Sequence, residues 1–182
     1  MALSIMDPFF LIFLIVCGLA AFTDFLIYKI PNEIIAFLFT LFFISFFMKA
    51  GFDWQVLKTP LMVFGISLFV CFVLYAVKML GAGDAKLIAV VSLWVTDYNP
   101  LLFFILMTFF GGILGLLYLK LHDYIDTVRF FLIKKLSNIA FIKGYLKEKT
   151  QTPARDLKNK SKVTLPYGVA VFAGVLLMLK FY

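Results

Sequence analysis

The sequence predicts an all-α, polytopic transmembrane bundle of about six helices, with a basic amphipathic cytoplasmic segment between the fifth and the sixth. Three observations predict it. Hydrophobic residues make up 64% of the 182-residue chain and charged residues only 15%, and the mean hydropathy is +1.04. Soluble domains sit nearer to half apolar and a quarter charged. The apolar residues also fall into runs, most of them approaching the length that crosses a hydrocarbon core. Finally, Lys and Arg gather between the runs, as in loops retained on the cytoplasmic side. A net charge of +7 would suggest nucleic acid in a soluble protein. Here it reads as topology, and no nucleic-acid partner is expected.

The first run, Pro8–Ile27, follows Asp7, and the third and fifth open in the same way at Thr59-Pro60 and Asn99-Pro100. In each pair a capping side chain precedes a proline at the first helical position, where its missing N–H costs nothing. The second run, Ile34–Met48, follows Pro31-Asn32, with Glu33 placed to favour the positive end of the helix. The third is Pro60–Met79. The fourth, Ala85–Val95, is too short to span alone; it must borrow from Leu80–Asp84 or be lined by protein. The fifth is Pro100–Leu119 and the sixth Val163–Leu179. No Lys or Arg precedes Lys29, so the first helix is expected to stay rather than be cleaved as a signal peptide. A single domain over residues 1–182 is expected.

Orientation follows from the cations. With the N-terminus outside, only Lys49, Lys58 and Lys180 lie outside, and the other fourteen Lys and Arg lie inside. The rule that basic loops stay inside therefore favours N-out and, with six spans, C-out. The largest inside loop spans 120–162. Its stretch from Tyr124 to Lys149 alternates aromatic and aliphatic residues with lysines at helical spacing. Such a helix suits the inner membrane surface, where anionic lipid attracts it, or packing on the rest of the protein. The following tail, Thr150–Lys162, is polar.

Few residues can do chemistry. Cys17 and Cys71 each stand alone in an apolar run, there is no CxxC, and His122 is the sole histidine. A metal site is not expected, no cofactor is implied, and His122 reads as a surface residue. Most acids have ordinary explanations: Asp7 as a helix cap, Asp53 and Asp97 in outside turns, and Asp123, Asp126, Glu148 and Asp156 among lysines. Asp24 and Asp84 differ. Asp24 lies inside Ala20–Ile27, where a carboxylate is expensive and a function is the default reading. Asp84 closes Gly81-Ala82-Gly83-Asp84, a stretch whose glycines allow a sharp turn and a close approach. It falls in the first turn of the next helix. The first and third runs both travel inward, so both carboxylates reach the cytoplasmic end at similar depth. Two carboxylates in a poorly solvated site share a proton, one serving as base on water and the other as acid.

Gly81-Ala82-Gly83-Asp84-Ala85-Lys86-Leu87 resembles the GxGDxKL motif of the type IV prepilin peptidases, a family of polytopic aspartyl proteases. Asp24, followed by Lys29-Ile30-Pro31-Asn32, is similar to that family's first-aspartate motif, and Leu165-Pro166-Tyr167-Gly168 to the PYG motif that opens its last helix. The three motifs occur in the family's order across most of the chain. The resemblance implies that Asp24 and Asp84 are the catalytic pair. It implies that Gly81 and Gly83 shape the loop, that Lys86 holds it or balances charge, and that Pro31, Asn32, Pro166, Tyr167 and Gly168 support the site. It further implies a prepilin-like substrate, with an N-terminal basic leader and a hydrophobic helix, cleaved at the cytoplasmic face of the inner membrane. Longer relatives carry paired CxxC motifs associated with N-methylation. The short form resembles the peptidases of Flp/Tad-type pilus systems or archaeal preflagellin peptidases, implying proteolysis without methyl transfer. The alternatives are a small proton-coupled transporter using Asp24 and Asp84 as a relay, or a secretion-system scaffold needing neither. A relay would distribute its acids across the bilayer depth.

Overall fold

The computed structural model describes residues 7–136 and 165–181. Among them all regular structure is helical: α1 Pro8–Ile27, α2 Asn32–Ala50, α3 Trp54–Ala76, α4 Ala82–Trp94, α5 Pro100–Leu136 and α6 Tyr167–Lys180. Four of these, α1, α2, α3 and the part of α5 up to Leu121, are long and apolar enough to cross a membrane. At 13 and 14 residues, α4 and α6 are shorter than that. The result is a helical membrane bundle with two short members.

The short α4 survives because protein, not lipid, surrounds it. Nine of its 13 residues, Ala85 and Leu87–Trp94, are buried, and α4 packs against α2, α3 and α6. Its anchor is Trp94, fully buried, whose ring stacks on Phe13 of α1 at 4.7 Å and meets Phe42 of α2 edge-on at 5.7 Å. The Trp94 indole N–H donates to the Leu38 carbonyl at 3.2 Å, so the one polar atom of that ring is satisfied across the helix interface. Around this centre α1 packs on α6, and α6 on α5. Gly174 allows the last of these contacts, since a Cβ there would lie 3.1 Å from the Met107 backbone nitrogen. Small residues let membrane helices approach at backbone distance in this way. Hydroxyls that would otherwise be orphaned bond back within their own helix, as Ser67 does to Val63 at 2.6 Å and Ser92 to Ala89 at 2.7 Å. Outward, α3 and α5 present large apolar side chains such as Phe69, Phe72, Ile105 and Leu116.

Several elements depart from the sequence expectation. Helix α3 begins at Trp54, because Asp53 caps it by accepting from the Gln55 N–H at 2.9 Å. Pro60 consequently lies inside the helix rather than at its start, and Asp53 is a cap rather than a turn residue. Asp7 precedes α1 as foreseen, but its side chain makes no capping bond and instead pairs with Lys49 at the end of α2. Asn99 does cap α5, accepting from the Leu102 N–H at 3.1 Å. That helix does not stop at Leu119; it kinks at Leu121 (φ −122°, ψ 24°) and continues to Leu136. Cys17 and Cys71 are free and buried. The segment from Ser137 to Lys162, the proposed start of the sixth run at Val163, and the side chain of His122 lie outside the described residues.

Candidate active site

The first carboxylate is delivered by the last turn of α1. Asp24 is buried, only 3% exposed, a position few ionisable side chains occupy without a dedicated partner. Its partner comes from α6: the Gly168 backbone N–H donates to the Asp24 Oδ2 at 2.7 Å. Gly168 lies in the first turn of α6, immediately after the Pro166 cap and Tyr167, where N–H groups have no partner within their own helix and the dipole favours an anion. A side chain at residue 168 would spoil this. Its Cβ would sit 3.0 Å from both the Asp24 Cβ and Oδ2, and 3.4 Å from the Ala21 Cα.

The second carboxylate opens α4. Gly81 caps the helix in an extended conformation (φ −75°, ψ 149°), and Asp84 lies in its first turn, its carboxylate turned back toward residue 81. An acid at the third helical position is where the reciprocal half of a capping box stands. This geometry revises the reason for the glycines. Gly81 has no left-handed backbone; it is needed because a Cβ would lie 2.6 Å from the Asp84 Oδ2. Gly83 is helical, and a Cβ there would meet Ile30 at an ordinary 3.5 Å. Its place is one of contact between the α1–α2 connection and α4, not of a sharp turn.

Asp24 and Asp84 line one cavity of about 710 Å³. Gly81, Gly83, Lys86, Asn32 and Tyr167 line it too. The Lys86 ammonium donates to the Asn32 Oδ1 at 3.3 Å, tying α4 to the start of α2. Pro31 and Pro166 stay out of the cavity wall; they are the buried residues that cap α2 and α6. All three sequence motifs thus meet at one end of the bundle.

The sequence reading missed part of the wall. Tyr28, Glu33, Lys78 and Leu165 also line the cavity. Tyr28 and Lys78, at φ 50° and 62°, are the non-glycine residues with left-handed backbone among those described. Each ends a helix that runs toward the site, and each occupies a conformation where glycine would be cheaper. Such strain clusters at working sites, but the sequence carries no mark of it beyond the nearness of Lys78 to Gly81. Among the described residues no group of His, Cys, Asp and Glu could hold a metal ion.

A helical membrane bundle in which one buried and one half-buried acid converge on one cavity is the class that fold and site define. The chain belongs to the type IV leader peptidase family, whose model matches residues 11–116. It is therefore a leader-peptidase-like protease. The matched stretch contains Asp24 and Asp84, while Pro166–Gly168 lies beyond it. No curated protein and no solved structure gave a significant match.

Proposed function

We propose that the protein is an aspartyl endopeptidase that removes the N-terminal leader of prepilin-like substrates at the cytoplasmic face of the inner membrane, without methyl transfer. The observation that carries this reading is the convergence of Asp24 and Asp84 on one cavity. Two carboxylates in such a place hold one proton between them. The unprotonated one takes a proton from water as the water oxygen bonds to the scissile carbonyl carbon. The protonated one gives its proton to the developing oxyanion. Collapse of the tetrahedral intermediate returns that proton, breaks the C–N bond and protonates the leaving amine. Gly168 and the Gly81 cap serve to fix the two carboxyl groups, and Lys86 with Asn32 to fix the loop between α1 and α2 against α4.

The cytoplasmic placement is supported by charge. Lys29, Lys78 and Lys86 line the cavity end, whereas Lys49, at the other end of α2, is paired with Asp7. A leader would remain on the cationic side while the hydrophobic helix of the substrate stays in lipid. The convergence of both acids at one end of the bundle disfavours a relay across the bilayer. The test is to reconstitute the protein in proteoliposomes with a candidate prepilin and identify the products by mass spectrometry. One cut between leader and hydrophobic helix is expected, lost in Asp24→Asn and in Asp84→Asn while both variants still insert. Full cleavage by either variant refutes the proposal.

A further inference from the structure

We propose that the part of α5 beyond its kink is a docking element for anionic lipid headgroups, holding the cavity mouth at the membrane surface. The membrane-length apolar stretch of α5 ends at Leu121, the residue at which the helix kinks before running on to Leu136. A helix that bends where its apolar stretch ends is placed to leave the span direction for the interface. Beyond the kink, Tyr124, Val128 and Phe131 are all exposed. Their spacing of four and three residues puts them on one face. Lys120 and Lys135, also exposed, bracket that face.

Charge selects the occupant. From Lys120 to Leu136, Lys120, Arg129, Lys134 and Lys135 outnumber Asp123 and Asp126, and the sequence from 137 to 162 adds seven cations against two acids, whereas the rest of the chain is neutral. An apolar face within such a segment suits the boundary of an anionic leaflet, where each Lys or Arg adds favourable interaction with the surface. The element also begins beside the site. Tyr118, buried just before the kink, meets the ring of Tyr28 at 6.3 Å, and Tyr28 lines the cavity, as does Leu165 where the chain returns. Docking of this helix would therefore set the height of the cavity mouth relative to the headgroups. None of this depends on the reaction chemistry.

The test uses the full-length chain with Phe131→Cys carrying an environment-sensitive fluorophore, and the unsubstituted chain labelled in parallel to correct for Cys17 and Cys71. The protein is reconstituted in phosphatidylcholine vesicles with or without phosphatidylglycerol, and quenching is read from lipid-borne and from water-borne quenchers. Leu116→Cys, in the membrane-embedded part of α5, serves as the reference for insertion. Lipid quenching at residue 131 should rise with phosphatidylglycerol. Lys134→Gln with Lys135→Gln should weaken that response, about fivefold in the docking equilibrium per cation removed, with residue 116 unchanged. Equal lipid quenching in both vesicle types and in the double variant would overturn headgroup recognition. Shielding from both quenchers would overturn it too, showing that protein covers the face.

Discussion

Gly168 shows how much of the site depends on an atom that is missing. Its N–H reaches the Asp24 carboxylate at 2.7 Å only because no Cβ stands between them. Gly168→Ala should push the carboxylate off that donor and lower cleavage about a hundredfold, the scale of an ångström-level misplacement. The measurement is kcat/KM beside a thermal melt in detergent, with activity falling much further than stability. Lys78→Gly should do the opposite to stability. Removing a side chain from a left-handed cap should raise it by about 1 kcal/mol, read as an increase in Tm. Asp24 was legible in the sequence because a carboxylate in an apolar run is costly and therefore conspicuous, and Asp84 because it closes the glycine-containing stretch Gly81-Ala82-Gly83-Asp84. The strain at Tyr28 and Lys78 was not, since φ is set by how a helix ends against its neighbours. Nor was the role of Gly168 as a hydrogen-bond donor, which depends on a contact between residues 144 positions apart.

At the scale of elements, α4 is the most dependent on its surroundings. Too short for the bilayer, it is held through Trp94, which touches α1 and α2 and donates to Leu38. Trp94→Ala should destabilise the protein by about 3–5 kcal/mol, the usual cost of emptying a large aromatic site. Because α4 also carries Asp84, cleavage should fall even in the fraction that remains folded, measured as activity per folded molecule after size exclusion. From the length of this run the sequence offers either borrowing from Leu80–Asp84 or a protein lining, and α4 shows both, starting at Ala82 and buried over nine residues. The sequence reading placed the start of α3 six residues late because the proline at residue 60 outweighed the Asp53 cap, although a buried interior proline proved compatible with the helix. It ended α5 at the last long apolar stretch, whereas the helix passes through a kink and continues. Composition marks where lipid ends, and helices need not stop there.

For the whole molecule, the bundle brings the end of α1, the start of α4 and the start of α6 to one place, so that Asp24 meets its backbone donor and both acids meet one cavity. If the two carboxyl groups act on a single proton, they form one unit and their loss should not be additive. The most direct test is the rate of leader cleavage by Asp24→Asn, by Asp84→Asn and by the double variant, all verified as inserted and folded. The account predicts that each single change abolishes cleavage to about the level of the double. A single variant retaining more than roughly a tenth of the parent rate, about 1.4 kcal/mol of lost transition-state stabilisation, would contradict it.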